Sequence, residues 1–269
     1  MGVFAPRILV CNDDGIESPG LQAAVRALLG LGEVIVAAPA RQQTGSGRSY
    51  SFRPDAVLER VEFTAAGQSV EAYRLDGSPA MIVQHAVPVL FGGRPPALVV
   101  SGINYGENVG TSITTSGTVG AALEAARFGL PALAVSRQTA LGHYFEYGAL
   151  DWTAAGHFTR HFAAKLLEGR LPHDADVLSV NVPSSAAADT PWRLTRVSRQ
   201  PYYCFGPASP SADSRLGDGV LRIDIDGPTL EPDSDIHALS RDRVVSVTPL
   251  SLDLTARTDL GRLGERLLG

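Results

Sequence analysis

The chain has 269 residues, a length that fits one large α/β domain or one domain with an appendage. Hydrophobic residues make up 44% and charged residues 19%, as is typical of a globular protein with a large core. The net charge of −5 does not indicate a nucleic-acid-binding surface, and no stretch of about 20 apolar residues predicts a membrane span. We therefore expect neither a nucleic-acid polymer nor a membrane among its partners.

The first predicted element is a short apolar run from Ile8 to Cys11, typical of a buried parallel strand. It ends in the turn Asn-Asp-Asp-Gly, which carries the adjacent carboxylates of Asp13 and Asp14. Two like charges side by side repel each other unless a cation or hydrogen-bond donors hold them. The turn taken alone leaves two interpretations open: a divalent-metal site or a solvated Asp-Asp-Gly turn.

Strand and helix patterns then alternate through the first 185 residues. A helix with Ser18 as its N-cap and Pro19 as its first residue follows the turn. Further buried strands are predicted at 33–38, 97–101, 131–136 and 176–182, a peripheral strand at 70–75, and further helices at 79–87, 119–128 and 151–167. This alternation predicts an α/β fold with a doubly wound, mostly parallel sheet, a Rossmann-like three-layer sandwich.

After residue 190 the pattern changes. Antiparallel strands are predicted at 192–197, 219–225 and 244–249, and a short helix at 259–268 closes the chain. We expect this region to be a C-terminal antiparallel β appendage of the α/β core.

Polar features follow the predicted strands of the core. They are the Asp13-Asp14 turn, the loop 41–49 with Thr44, the loop 102–110 with Asn104, and the helix start Ser116-Gly117-Thr118. The carboxyl ends of parallel strands meet at one edge of a sheet, so we expect these features to converge there. Carboxylate, hydroxyl and amide oxygens are hard donors that suit Mg²⁺ or Mn²⁺ rather than zinc.

The helix start at Ser116 has two interpretations of similar weight. Free N–H groups and a positive dipole end can bind a phosphate, and a plain N-cap explains the same residues. A cation beside a bound phosphate could neutralise phosphoryl oxygens and polarise a water. Together these features predict phosphate-ester hydrolysis.

Other catalytic motifs are weaker or absent from the sequence. His157 and His161 have the spacing of a helical metal pair, but without a third ligand we interpret them as residues flanking the Phe158 and Phe162 stripe. The sequence has no Gly-x-Gly-x-x-Gly after the first strand, no Walker loop and no Gly-x-Ser-x-Gly elbow. No Asp-x-Asp pattern follows the first strand, which favours attack by water over attack by Asp13.

Two features of the sequence bear on location. Cys11 and Cys204 are the only cysteines, and we expect reduced thiols rather than a disulfide, which fits a cytoplasmic protein. The seven residues before Ile8 are too few for a secretory signal, which favours the same location.

Taken together, the motifs resemble the SurE family, the survival-protein nucleotidases. The resembling segments are 7–16, 18–20, 38–39, 41–45, 77–80, 101–104, 116–119, 181–183, 192–196 and 245–250. The resemblance covers nearly the whole chain. It implies a metal-dependent phosphatase that hydrolyses nucleoside 5′-monophosphates, and often 3′-monophosphates, to nucleoside and phosphate through a metal-activated water.

The resemblance also implies roles for single residues. The metal ligands for one divalent cation per subunit, Mg²⁺ or Mn²⁺, would be Asp13, Asp14, Thr44 and Asn104, with Asp13 and Asp14 as the catalytic residues. The phosphate-binding residues would be Asn104, Ser116, Gly117 and Thr118. Thr44 stands where the family has a serine and keeps the hydroxyl. Thr115 and Met81 also depart from the usual family residues, and no general acid is identified.

In the family, the region matching 205–243 forms an arm exchanged between subunits, so the resemblance implies a homodimer or homotetramer. We expect a Rossmann-like core at 1–189 that carries the metal site, and a β-hairpin oligomerisation arm with the C-terminal helix at 190–269. Two other functions stay open: a non-catalytic nucleotide-binding stress-response module, and a nucleotide-dependent transferase with the metal bridging a diphosphate.

Overall fold

The computed structural model describes residues 5–143, 147–169 and 171–268. The strands are β1 (Arg7–Cys11), β2 (Glu33–Pro39), β3 (Glu59–Val61), β4 (Thr64–Ala65), β5 (Gln68–Ser69), β6 (Glu71–Leu75), β7 (Leu98–Tyr105), β8 (Ala132–Arg137), β9 (Val177–Val182), β10 (Trp192–Leu194), β11 (Tyr203–Pro207), β12 (Gly219–Ile223) and β13 (Val245–Leu250). The α-helices are α1 (Pro19–Leu28), α2 (Pro79–Phe91), α3 (Gly117–Arg127), α4 (Thr153–Glu168), α5 (Asp235–His237) and α6 (Leu260–Leu268).

The main sheet has nine strands in the order β10-β13-β9-β8-β7-β1-β2-β6-β3. The six strands from β9 to β6 run parallel, whereas β13 is antiparallel to β9 and β3 is antiparallel to β6. From β1 the chain proceeds to β2 on one side, and the later strands β7, β8 and β9 lie on the other. This order confirms the predicted doubly wound sheet. It places the switch point, where such folds bind ligands, between β1 and β7.

Helices cover both faces of the sheet. Alternate residues of β1 separate the two layers: Ile8 and Val10 pack in the core with α1 and α4, and Leu9 and Cys11 pack in the core with α2 and α3. Every residue from Ile8 to Cys11 is fully buried, which fits the absence of polar side chains after Arg7 in this strand.

Helix α1 begins as predicted, with the Ser18 side chain accepting a hydrogen bond from the N–H of Gly20 at 3.2 Å. A Cβ atom on Gly20 would lie 2.0 Å from the carbonyl oxygen of Ile103. The helix therefore packs directly on the backbone of β7 and holds the turn after β1 beside the end of β7.

Strand β7 is longer than predicted. We expected a loop from Gly102, but after a bulge the pairing with β8 resumes at Asn104 with Ser136 and continues to Tyr105. Gly102 has a φ of +129°, and a Cβ there would lie 2.3 Å from the Val135 carbonyl oxygen. The glycine thus permits a bulge in a strand instead of ending it. Asn104 therefore lies on a strand.

The strands after residue 190 divide between two sheets. β13 joins the main sheet beside β9, and β10 pairs with β13 in parallel, so the predicted antiparallel pairing of residues 192–197 was wrong. β11 and β12 form a separate antiparallel hairpin. The division into a core at 1–189 and an arm at 190–269 stays a prediction.

Two further predictions concern the cysteines and the histidine pair. Cys11 and Cys204 are both free. His157 and His161 contact the rings of Phe158 and Phe162 edge-on, with ring centroids 5.1 and 4.9 Å apart.

Across the described ranges, no helix is long and apolar enough to span a bilayer.

Candidate active site

A cleft of about 330 Å³ lies at the carboxyl ends of β1 and β7. Its lining residues are Asp13, Thr44, Gly45, Asn104, Tyr105, Asn108, Thr111, Ser112, Thr115, Ser116, Pro201, Tyr203, Phe205 and Leu221. Of the predicted site residues, the cleft lining includes Asp13, Thr44, Asn104 and Ser116. Asp14, Gly117 and Thr118 do not line the cleft but are buried next to it.

Asp13 is held by the N-terminus of α3. Its Oδ1 accepts a hydrogen bond from the Thr118 hydroxyl at 2.5 Å, and the backbone N–H groups of Gly117 and Thr118 also donate to the carboxylate. A Cβ on Gly117 would lie 2.7 Å from the Asp13 Cβ. Burial nevertheless raises the pKa of Asp13, because the donors only partly replace the water that the carboxylate has lost.

Asp14 points to a different set of donors. Its Oδ2 accepts the N–H of Tyr105 at 3.1 Å and its Oδ1 accepts the Gln42 side chain at 3.4 Å, while its carbonyl oxygen accepts the Tyr147 hydroxyl. Burial, and after it the charge of Asp13, raise the pKa of Asp14 well above its ordinary value. The pair is therefore two buried carboxylates whose ionised forms are insufficiently stabilised by the protein alone.

Hydrogen bonds to neighbouring backbone carbonyl groups orient the side chain of Asn104. Its Nδ2 donates to the carbonyl oxygens of Tyr105 at 3.2 Å and Gly106 at 2.6 Å. Carbonyl oxygens only accept, so this pair of bonds determines which end of the amide is the nitrogen. The Oδ1 atom is left as the oxygen that Asn104 can offer to a ligand in the cleft.

The loop that carries Thr44 is fixed at several points. The N–H of Gln43 donates to the Asp13 carbonyl oxygen at 2.7 Å, and the N–H of Gly47 donates to the Thr115 carbonyl oxygen at 2.9 Å. Farther along, Arg48 donates to the fully buried carboxylate of Glu124 on α3 at 2.9 Å. These contacts hold the loop so that Thr44 lines the same cleft as Asp13.

At the helix start the structure confirms Ser116 as the N-cap, whereas phosphate binding there stays a prediction. Ser116 is the N-cap, since its Oγ accepts the N–H of Val119 at 3.1 Å, and it also lines the cleft. The donors of Gly117 and Thr118 bind a carboxylate of the protein, that of Asp13. The N-terminus of α3 therefore binds an anion, as its dipole favours.

Sequence reasoning missed several contributors. Asn12, to which the sequence pattern assigns no role, closes the turn: its Nδ2 donates to the Gly15 carbonyl at 3.0 Å, and its Oδ1 accepts the Gly15 N–H at 3.2 Å. This Asx pattern is a local signal that could have been recognised. Asn108 lines the cleft and donates to Ser136 at 2.9 Å. Tyr147 contacts Asp14 from 133 residues away, which no local pattern indicates.

The donor set fits a hard divalent cation. Within residues 5–143, 147–169 and 171–268, no group of three or more His, Cys, Asp or Glu could hold a metal ion. A cation here would therefore need the neutral oxygens of Asn104 and Thr44 in addition to the two carboxylates. That combination suits Mg²⁺ or Mn²⁺. It would also offset the burial and the repulsion from Asp13 that raise the pKa of Asp14.

Comparison with known proteins points to one family. The family model described as survival protein SurE matches residues 8–203. A 5′-nucleotidase SurE from Thermococcus gammatolerans is 41% identical, covering 98% of this chain and 96% of its own length. A second, from Thermococcus kodakarensis, is 40% identical over 94% of this chain and 95% of its own. The crystal structure of the SurE protein from Aquifex aeolicus aligns with a TM-score of 0.75 and 29% identity, covering 98% of this chain and all of that one.

Proposed function

Because the chain belongs to the SurE family, we propose that it is a 5′-nucleotidase, a phosphoric monoester hydrolase that converts nucleoside 5′-monophosphates to nucleoside and phosphate. One observation supports the assignment to this site. Asp13 lines one cleft together with Thr44, Asn104 and Ser116, the N-cap of α3. The buried carboxylate of Asp14 lies next to this cleft, bound to the N–H of Tyr105. Positioning and charge stabilisation supply most of the catalysis in such phosphoryl transfers.

In this proposal one divalent cation, Mg²⁺ or Mn²⁺, is held by Asp13, Asp14, Thr44 and Asn104. When bound, the cation neutralises phosphoryl oxygens and polarises a water for attack. The protein's part is to align both carboxylates, through Thr118 for Asp13 and through the Tyr105 N–H for Asp14.

The substrate phosphate is proposed to lie at Asn104, Ser116 and the N-terminus of α3, where Gly117 and Thr118 also support Asp13. Ser116 and Asn104 both line the cleft, so both are accessible to a ligand. One of the aspartates accepts the proton of the attacking water. The family resemblance extends the substrates to 3′-monophosphates.

We also propose a homodimer or homotetramer. Apolar side chains of the β11–β12 hairpin and of α6 are exposed in the single chain: Leu216 is 90% exposed and Leu267 is 76% exposed. Large exposed apolar side chains grouped on single elements, as on this hairpin and on α6, are typical of an interface. A cytoplasmic location belongs to the same proposal, supported by the free thiols of Cys11 and Cys204.

The test is phosphate release from a panel of nucleoside monophosphates, with chelator and with Mn²⁺ or Mg²⁺ added back. We expect release that chelator abolishes and metal restores. Asp14→Asn should lower kcat/KM by at least about 100-fold, as loss of transition-state electrostatic stabilisation does. Asp55→Asn is the matched control, because the Asp55 side chain is exposed and forms an ion pair with Arg53 on the surface. Full activity of the Asp14 variant, or nucleotide binding without phosphate release, would contradict the proposal.

A further inference from the structure

The β11–β12 hairpin supplies one wall of the cleft, a wall that neither the metal nor the phosphate uses. Tyr203, Phe205 and Leu221 line the same cleft as Asp13. Tyr203 and Phe205 are two residues apart on β11, and Leu221 is the direct partner of Phe205 across the hairpin. All three side chains therefore lie on one face. The cleft combines oxygen ligands at the strand ends with an apolar wall.

The ring of Phe205 packs over the backbone at Gly219 and is still accessible to a ligand. A Cβ on Gly219 would lie 2.2 Å from the Phe205 Cζ, so the ring occupies the space that a side chain at position 219 would fill. Phe205 is still 61% exposed. The hairpin thus backs the ring on one side and leaves much of it accessible, the arrangement of a stacking platform.

The hairpin is also fixed to the floor of the cleft. The N–H of Thr111 donates to the Gln200 carbonyl at 3.0 Å, and the N–H of Tyr203 donates to the Ser112 hydroxyl at 3.4 Å. Thr111 and Ser112 both line the cleft and follow β7, which carries Asn104. The aromatic wall therefore keeps a defined position relative to the proposed metal ligands.

We propose that this wall, chiefly Phe205, stacks on the nucleobase of the substrate, an inference that rests on the proposed nucleotidase function. A nucleoside monophosphate has a phosphate for the polar end of the cleft and a flat aromatic base for the apolar wall. Stacking uses the π-face that every base has, so the wall gives affinity with broad base tolerance. Among the described residues that line the cleft there is no Lys, Arg or His to neutralise further phosphate groups, which favours monophosphates.

The experiment compares AMP with ribose 5-phosphate, which has the same phosphate and sugar but no base. Phe205→Leu keeps an apolar side chain and removes the ring, and Phe205→Trp restores a ring. We expect Phe205→Leu to lower the ratio of kcat/KM for AMP to that for ribose 5-phosphate about tenfold, the effect of losing about 1.4 kcal/mol of stacking. Phe205→Trp should recover the ratio.

Val220→Ala is the matched control, since Val220 lies on the opposite face of the same hairpin and is 57% exposed. It should keep the wild-type ratio, and light scattering should give all variants the same mass. An unchanged ratio in Phe205→Leu, or an equal loss on both substrates, would overturn the stacking role. Failure of the wild type to hydrolyse either substrate would refute the nucleotidase function instead. In that case the ratio of dissociation constants for the two ligands, measured with Mn²⁺, decides the stacking proposal.

Discussion

Thr118 offers the sharpest test of how the site is organised. Its hydroxyl donates to Asp13 Oδ1 at 2.5 Å, and the residue is fully buried. Thr118→Val removes the hydroxyl and keeps the shape. A hydrogen bond to a charged group contributes about 1.5–3 kcal/mol, which corresponds to roughly a 10- to 150-fold change in an equilibrium constant. Because the N–H groups of Gly117 and Thr118 still support Asp13, we expect the lower end, about a tenfold weaker affinity for Mn²⁺.

The assay is Mn²⁺ binding by calorimetry, together with KM for AMP at saturating metal. Thr118→Ser, which keeps the hydroxyl, should bind Mn²⁺ within about threefold of wild type. Thr159→Val removes a buried hydroxyl in α4 that donates to the Ala155 carbonyl at 2.7 Å, and it controls for general destabilisation. Unchanged metal affinity combined with a raised KM would refute the positioning role. It would show that the hydroxyl serves the phosphate instead.

Two further predictions concern buried carboxylates outside the cleft. Glu124→Gln removes the charge of a fully buried carboxylate that accepts a hydrogen bond from Arg48, and it should lower the free energy of unfolding in urea titrations by about 2 kcal/mol. Glu168→Gln, in an exposed ion pair with Lys165, is the control and should change this free energy by less than about 0.5 kcal/mol. Equal effects of the two substitutions would contradict the prediction. Burial raises the pKa of Glu107, which accepts from the Tyr202 hydroxyl, so the folded protein binds its proton more tightly than the unfolded chain. The free energy of unfolding of the wild type, relative to that of Glu107→Gln, should therefore fall as the pH rises above about 4.5, the ordinary pKa of the group. A difference between the two proteins that stays constant or grows with pH would refute the raised pKa.

The parts of the site that are local in sequence are predictable. Ser18 and Pro19 identify the start of α1, and Ser116 identifies the start of α3, because a capping residue and its N–H partner lie within three positions. The apolar run before Asp13 predicts the buried strand for a similar reason. Convergence at one sheet edge then follows from the parallel topology, which the sequence pattern also indicates.

Asn104 shows where such local reasoning fails. Glycine and asparagine after Ser101 are typical of a loop, and the sequence favours ending the strand at Gly102. The structure continues the strand because Asn104 and Tyr105 regain pairing with β8, more than 30 residues later in the chain. Strand pairing of this kind is decided by a distant partner, so composition around Gly102 cannot reveal it.

The wall of the cleft is unpredictable for the same reason. Phe205 lies about 100 residues after Asn104, on β11, a strand that the sequence pattern does not predict. Of this hairpin, only the second strand, at 219–225, is predicted. Nothing in its periodicity specifies which face meets the cleft. Hydrogen bonds from Thr111 to Gln200 and from Tyr203 to Ser112 decide that face, and they exist only once the fold has formed.

The charge balance at the turn after β1 connects these observations. Asp13 and Asp14 are neighbours in sequence, yet one is supported by the N-terminus of α3 and the other by the N–H of Tyr105 on β7. Burial still raises the pKa of both, so neutral donors alone do not compensate for two lost hydration shells. A bound cation would stabilise the ionised form of the pair. Because Asp13 already uses donors of Gly117 and Thr118, the helix start can bind a substrate phosphate as well only if such a cation takes over part of the Asp13 charge.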